Sequence, residues 1–532
     1  MNVLATAAQM RELDCIAIGE WGSSSPELME NAARAVTEQV LRVLRERSGF
    51  VSCPIYAQGQ KPEQPQTECT SPTVVIFCGP GNNGGDGVAV ARQLLEQGVE
   101  VEAILVGERS KMTPDERVME EKLNEVHGRL KTFIEFKTEE KKLRYRCGCV
   151  VDALFGVGLC REVTGDFARA IAWMELCPAP TISCDIPSGV SADTGEILGT
   201  AVRAARTVTF TCAKPGLYLG EGGPCAGEVL VADIGIPCPL VNELIWRQEP
   251  RTMVLERGHY VLPRRKRTAH KGDFGRVFIL AGSEGYTGAP VLAARAAVRS
   301  GAGLVFLGVP REIYPIAAVK CDEAMPFPLP EDYDQILEKA RGCDAALIGP
   351  GLGRSEGAEC LALALLRDLD IPVVLDADGI NALAGHIDIL DGRRAMTVLT
   401  PHDGEFRRLT GCELPISDRL TQAKDFAAAH GCVMILKGHN TITALPDGRA
   451  YLNANGNPGM AKGGCGDVLA GLIVGLLGQK QLCTDGELCA LAVYYHGEAG
   501  DRCAARLGEY GMTPSDMLEE LPLVLKDHTN TH

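Results

Sequence analysis

Between residues 11 and 47 apolar positions recur at helical spacing, with Leu28, Ala32, Val36, Val40 and Leu44 on one face. This predicts an amphipathic helical segment. From Ser52 to Pro72 the period vanishes and Pro, Gln and Thr dominate, the composition of a flexible surface insertion. A short buried-strand pattern, Thr73–Phe77, then leads through a glycine turn at Gly79–Gly87 into the apolar helix Val88–Gln97 and a second strand, Val99–Val106. That is a β-α-β unit. Strand-like runs recur at Cys149–Leu154, Thr181–Asp185 and Thr207–Thr211 with helical stretches between the first two pairs. Such alternation predicts an α/β fold with a parallel sheet and helices on both faces.

Around Ile236–Arg267 the pattern loses its period and becomes rich in Pro and Arg. A domain boundary is expected there, near residue 250, dividing the chain into 1–245 and 250–532. A second α/β series follows at Arg276–Ala281, Leu304–Val309, Ala345–Ile348, Val373–Asp376, Thr397–Thr400 and Val433–Lys437. The longest apolar run, Val468–Leu477, falls short of the roughly 20 residues a membrane span needs, so it reads as a buried helix. The N-terminal stretch lacks a basic region followed by an apolar core, so no secretory signal is expected and the cytoplasm is the expected compartment.

Composition narrows the function classes. Aromatic residues are scarce (5%) and the 60 glycines suit an α/β architecture with many tight turns rather than an aromatic-rich β-sandwich. A net charge of −16 argues against nucleic-acid or anionic-membrane partners, because phosphate backbones attract Lys and Arg. A small anionic ligand remains compatible if helix N-termini receive it. The 21 cysteines are scattered without a CxxC pair, which reads as reduced thiols rather than a zinc site or disulfide framework.

Three loops of the first half carry candidate chemistry. GPGNNGGDG (79–87) follows a strand and opens a helix; read mechanically it satisfies GxGxxG, with Glu100 and Glu102 near the place of a ribose-binding acid. Its polar loading departs from a pyrophosphate loop: Asn82, Asn83 and Asp86 bring two amides and a carboxylate, groups suited to orienting a substrate or coordinating a cation. VDALFGVGLCR (151–161) and SCDIPSG (183–189) each place an acid, Asp152 and Asp185, at a strand's C-terminal end, where ligands bind in open parallel sheets. Each acid alone also fits a helix cap or turn.

Together these loops resemble those of the NAD(P)H-hydrate epimerase family, over roughly residues 1–240. The resemblance implies a Rossmann-like three-layer domain that inverts C6 of the hydrated nicotinamide ring. It implies substrate contacts from Asn82, Asn83, Gly84, Gly85 and Asp86, from Gly156, Val157, Gly158, Leu159, Cys160, Arg161 and Glu162, and from Asp185. It also implies a potassium ion on Asn83, Asp152 and Ser188. The inversion needs an acid/base group within hydrogen-bond reach of the hydroxyl, and Asp185 is the expected one.

In the second half, GNPGMAKGGCGD (456–467) runs into the apolar helix. Consecutive glycines at a helix N-terminus turn backbone N–H groups toward one point, which suits a phosphate, and an acid fixed there can deprotonate a hydroxyl. No Walker A sequence occurs. GGCGD resembles the anion hole and base of ribokinase-like kinases. HKGDFGR (270–276), AGSEGYTGA (281–289), GPGLG (349–353), LDAD (375–378), TPHDGE (400–405) and LKGHNT (436–441) are similar, over roughly residues 255–525, to the ADP/ATP-dependent NAD(P)H-hydrate dehydratases. That resemblance implies a ribokinase-like α/β/α domain in which Ala289, Gly353, His402 and Asp467 contact substrate, with Asp467 the base. Lys437, Gly438, His439, Asn440, Thr441 and Gly466 would contact ADP or ATP, with magnesium accompanying the nucleotide. Lys462 and Cys465 stand where threonine and a small hydroxyl residue are frequent. A homo-oligomer is expected. Two other readings remain open on the residues alone: a nicotinamide-dependent dehydrogenase fused to a ribokinase-like small-molecule kinase, or a non-catalytic nucleotide-binding module in the first half.

Overall fold

The computed structural model describes residues 2–48, 72–255, 261–416, 418–479, 482 and 486–529. The chain divides into two compact units, Val3–Gln248 and a second built on Glu249–His532.

In the first unit the described strands form a parallel sheet in the order Leu130–Thr132, Val101–Leu105, Thr73–Cys78, Cys147–Ala153, Thr181–Cys184, Arg206–Phe210, Glu228–Ala232. Thr73–Cys78 (TVVIFC) is buried at every position, as a central strand covered on both faces must be. Its register sets Val75 beside Val150 on one side and Glu102 on the other. The chain first builds outward from this strand through Val101–Leu105, then returns to its opposite side at Cys147–Ala153. The two connections diverge there, leaving a crevice at the strands' C-terminal ends, the topological switch point of an open α/β sheet.

The glycine turn expected at Gly79–Gly87 is mostly helix. The helix runs Asn82–Glu96, six residues earlier than its apolar pattern, with Gly81 as N-cap. The glycines that hid its start allow close packing: a Cβ on Gly84 would meet the Gly79 carbonyl oxygen at 1.7 Å, and one on Gly87 would meet Ala153 Cβ at 2.6 Å. The helical segment expected over 11–47 is two helices, Ala7–Gly19 and Ser25–Ser48, parted around Gly22, whose φ is +72°. The stripe from Leu28 to Leu44 is buried on the second. Apart from Pro72, the expected 52–72 insertion lies outside the described residues.

The second unit's sheet runs Thr252–Val254, Ala450–Leu452, Ile442–Ala444, Val433–Leu436, Thr397–Leu399, Val373–Leu375, Ala345–Ile348, Arg276–Leu280, Leu304–Val309, Met325–Pro328. Pairing is parallel except where Ile442–Ala444 meets its two neighbours. Its switch point lies between Arg276–Leu280 and Ala345–Ile348, again because the chain builds to one side before crossing to the other. The apolar run is the helix Cys465–Leu477, buried at Val468–Leu477. It lies almost backbone-to-backbone on the alanine-rich helix Gly288–Arg299, since a Cβ on Gly471 would stand 2.2 Å from the Ala293 carbonyl oxygen. Every described cysteine is a free thiol. No helix among the described residues is long and apolar enough to cross a membrane.

Candidate active sites

The first unit's switch point opens into a cavity of about 750 Å³. Its walls come from the Pro80–Asp86 loop and helix start, the Leu154–Arg161 loop, Asp185, Phe210, Lys214, and one face of the helix Ala7–Gly19. Asn82, Asn83, Asp86, Gly156, Val157, Gly158, Leu159, Cys160, Arg161 and Asp185 line it together. Three expected contacts do not. Gly84 and Gly85 belong to the first helical turn and face inward, where a Cβ on Gly85 would meet Met29 Sδ at 2.6 Å. Glu162 is exposed beyond the lining.

Asp185 is set by backbone geometry. The strand Thr181–Cys184 ends just before it, and its φ of +67° is one that side-chain-bearing residues rarely adopt. The turn aims its carboxylate at the next strand. Oδ1 accepts from Lys214 Nζ at 2.5 Å, from Thr209 Oγ1 at 3.2 Å and from the Phe210 amide at 3.2 Å. Oδ2 points the other way, toward Gly156 and the Asn83 amide oxygen, both of which face the cavity. Lys214 is wholly buried, and its ammonium also donates to Thr209 Oγ1 (2.9 Å) and the Phe210 carbonyl (3.0 Å). Sequence reasoning missed Lys214; the signal was a lysine just past the strand Arg206–Phe210.

Asp86, expected among the substrate contacts, lines the cavity. Burial, together with the carboxyls of Asp185 and Asp14, pushes its pKa well above the usual carboxylate range, which favours the neutral form. Asp14, also missed from sequence, is raised to about 6 by burial; Lys214 works against that shift and Asp185 with it.

Asp152 lies beneath the cavity, completely buried. It accepts from Ser183 Oγ (2.8 Å), the Ser188 amide (2.8 Å) and Ser188 Oγ (2.6 Å), and the Phe155 amide donates to Ser188 Oγ at 2.9 Å. All these partners are neutral, and burial raises Asp152's pKa. The buried Asn83 Nδ2 has no hydrogen-bond partner.

The second cavity, about 450 Å³, occupies the other switch point and is lined by Gly285, Tyr286, Gly288, Ala289, Leu292, Gly351, Ala377, Asp378, Gly463, Gly464 and Asp467. Gly464 caps the helix Cys465–Leu477 at φ +104°, a geometry that requires glycine. Asp467 sits in its first turn, and its pKa is about 7. Burial is the largest cause, Asp376 adds to it, and Lys437 opposes both. The helix N-terminus favours the charged form, yet burial wins. Lys437 donates to Asp376 Oδ1 at 2.8 Å, as does Thr400 Oγ1 at 2.7 Å, and a Cβ on Gly466 would lie 3.5 Å from Lys437 Nζ.

The remaining expected residues are arranged around this cavity without lining it. Gly353 N donates to Asp378 Oδ2 at 2.9 Å, and Asp378 does line it. His402 caps the helix Asp403–Thr410, its Nδ1 accepting from the amides of Gly404 (3.0 Å) and Glu405 (3.2 Å). That role fixes the proton on Nε2. A single parallel bridge joins His402 to Lys437, bringing the expected substrate and nucleotide loops side by side. In the nucleotide loop Thr441 Oγ1 donates to the Gly438 carbonyl at 3.1 Å, Asn440 has a φ of +53°, and Gly438 and His439 are exposed.

Comparison with known proteins finds matches for both halves of the chain. Residues 277–523 match the family model described as NAD(P)H-hydrate dehydratase, and residues 25–216 the YjeF-related protein N-terminus. A bifunctional NAD(P)H-hydrate repair enzyme from Moorella thermoacetica is 39% identical over 98% of this chain and 97% of its own. The chain belongs to the bifunctional NAD(P)H-hydrate repair enzyme family. The Escherichia coli member is 37% identical over 85% of this chain and 84% of its own. Among solved structures, the ADP/ATP-dependent NAD(P)H-hydrate dehydratase from Bacillus subtilis, co-crystallised with ATP and Mg2+, is 34% identical. It covers 50% of this chain and 95% of its own, with a TM-score of 0.44.

Proposed function

We propose that this chain restores hydrated NADH and NADPH in two steps. Its first unit interconverts the R and S epimers, and its second dehydrates the S epimer with ADP or ATP, yielding AMP or ADP and phosphate. The observation that carries the reading is the duplication of design. Each unit has a cavity at its own switch point, and each cavity is lined by one of the two expected catalytic acids, Asp185 or Asp467. A dehydrogenase-kinase fusion accounts for neither the buried acid Asp86 nor the Lys214–Asp185 pair, and family membership removes it.

In the epimerase cavity the free Oδ2 of Asp185 acts on the 6-hydroxyl. The ring nitrogen expels the hydroxyl as water, leaving a planar iminium, and water re-adds from the opposite face. Asn82, Asn83 and Asp86, all lining the cavity, supply hydrogen bonds that orient the nucleotide. Potassium fits the chemistry beneath. A fully buried carboxylate with only neutral partners is costly, and a potassium ion, which Asp152, Ser188 and Asn83 would hold, would offset that cost. It would supply fixed positive charge beneath the loop.

In the dehydratase cavity Asp467 takes the proton of the 6-hydroxyl as that oxygen attacks the nucleotide's terminal phosphorus. The backbone N–H groups around Gly464 receive the charge building on the phosphoryl oxygens. Lys437, held by Asp376, places a cation beside Gly466 for the same phosphate, and magnesium bound with the nucleotide would offset further phosphate charge. The C6–O bond then breaks as the ring nitrogen pushes, the oxygen leaves with inorganic phosphate, and loss of a C5 proton to water regenerates the dihydropyridine. Free thiols suit the reducing cytoplasm in which these cofactors turn over. The test is to incubate the full chain with mixed-epimer NADHX and ADP while following NADH absorbance. Complete recovery is expected; arrest at the initial S fraction would remove the epimerase, and no recovery the dehydratase.

A further inference from the structure

Inverting C6 needs proton traffic on both faces of the ring. A hydroxyl leaving one face must be protonated there, and the water adding to the other face must lose a proton there. Asp185 serves one face only, because its Oδ1 is occupied by Lys214, Thr209 and Phe210 and only Oδ2 looks into the cavity. We propose that Asp14 is the second acid/base group of the epimerase, acting on the face of the ring opposite Asp185. The inference rests on the epimerase reading above.

The helix Ala7–Gly19 presents Met10, Asp14 and Ile18 to the cavity, positions four apart that share one face, while Leu13 and Ala17 pack into the core. Asp14 thus reaches the cavity from a helix, whereas Asp185 reaches it from a strand end, so the two carboxyls are carried by separate elements. That helix is fixed. The helix begins with a Thr6–Gln9 capping box, its Ala7 amide donates to Asp193 Oδ1 at 2.7 Å, and the Ala5 amide donates to the Ala213 carbonyl at 2.9 Å. The last bond ties the helix to the residue next to Lys214. The Asp14 carboxyl accepts no hydrogen bond from any described residue, so it is free for a ligand. Its charged neighbours in the cavity are Arg11 on its own helix, Lys214, Asp185, Asp86 and Arg161. Burial leaves it half-protonated at about pH 6, so both forms are present near neutrality.

The step balances. For one epimer, protonated Asp14 gives its proton to the departing hydroxyl, C6–O breaks, and water leaves. A water on the other face then bonds to C6 and gives a proton to the Asp185 carboxylate. The ring ends inverted with one oxygen exchanged, and the proton has moved from Asp14 to Asp185; the other epimer runs the sequence backward. Solvent exchange resets the pair between turnovers.

The test uses the full chain without ADP or ATP, so that dehydration is silent, on single-epimer NADHX in H₂¹⁸O. Epimers are separated by chromatography and ¹⁸O is read by mass spectrometry. Wild type should invert with label uptake. Asp14→Asn should lose about 10²-fold or more in inversion. It should still exchange label, without inversion, into the one epimer whose hydroxyl faces Asp185; Asp14→Glu should recover part of the inversion. Inversion by Asp14→Asn within threefold of wild type overturns the assignment. So does equal loss of inversion and of exchange in both epimers by a folded variant, since that is the signature of a structural role. Wild type that neither inverts nor exchanges would instead sink the epimerase reading and this inference with it.

Discussion

The two acids expected to carry the chemistry are held in opposite ways. Asp185 is clamped: a left-handed backbone turn aims it, and three donors including a buried ammonium fix one oxygen. Asp467 has no hydrogen bond to any described residue, and burial at a helix start raises its pKa to about 7. The contrast follows the chemistry. Epimerisation moves a proton between two groups on separate elements, so position matters most. Phosphoryl transfer needs one base able to take a proton at neutral pH and helix amides to receive charge, so affinity for the proton matters most.

The sharpest way to break the comparison is Asp467→Asn. Dehydration should fall by about 10²–10⁴-fold with epimerisation untouched, because the two sites lie on separate sheets. A base must be unprotonated to act, so wild-type kcat/KM for dehydration should rise with pH and level off above about 7. A flat profile from pH 5 to 9, or dehydration within threefold of wild type in the variant, removes Asp467 as base. Asp185→Ala is the reciprocal. In a mixed-epimer assay with ADP it should stop near the initial S fraction and then advance at the spontaneous rate. Prompt conversion of both epimers would make Asp185 structural.

How far the sequence revealed these sites follows the same contrast. The GGCGD motif was legible because consecutive glycines before an apolar run can hardly be anything but a crowded helix start. Asp185 was legible as an acid at a strand end. Its partners were not. Lys214 is one lysine in a loop and Asp14 one acid on an amphipathic helix, and only the tertiary fold brings them to Asp185. The helix starting at Asn82 was read as a turn because its glycines count as breakers in sequence but permit close approach in the packed structure. Of the two edge strands, Leu130–Thr132 was missed because it is short and lacks an apolar run, while Glu228–Ala232 was passed over although Val229–Ala232 is apolar; neither buries more than one side chain.

Glu116 sharpens the comparison at smaller scale. It lies against the helix that carries Asn82 and Asn83, fully buried with neither carboxyl oxygen hydrogen-bonded, and burial raises its pKa to about 8. The folded state thus keeps a proton that the unfolded chain loses near pH 4.5. Stability should decline between about pH 4.5 and 8, at no more than about 1.4 kcal/mol per pH unit from this group. Glu116→Gln keeps the neutral shape and should remove that slope. Unfolding free energies of both proteins, from urea titrations between pH 5 and 8, should diverge by about 1–3 kcal/mol, with the variant the more stable at the alkaline end. Parallel curves would mean that Glu116 does not titrate in this window.

The smallest expected effects concern Lys462 and Cys465, the two residues that break the resemblance around the dehydratase anion hole. The Lys462 ammonium is turned away from the cavity, donating to the carbonyls of Tyr510 (2.8 Å) and Met512 (2.5 Å). Cys465 is buried with its sulfur 3.8 Å from Met517 Sδ, in a small cluster with Cys503 and Met512. Neither side chain faces the phosphate, so neither should set the choice between ADP and ATP. Lys462→Thr removes two charge-assisted bonds at a partly exposed site and should cost about 1–2 kcal/mol. Cys465→Ser puts a hydroxyl among sulfur and methyl groups and should cost about 1–3 kcal/mol. The ratio of kcat/KM for ADP to that for ATP should move by less than threefold in either variant. A tenfold shift in that ratio without a matching loss of stability would show that one of these side chains reaches the phosphate after all. The anion hole would then work by side chains as well as by the helix amides around Gly464.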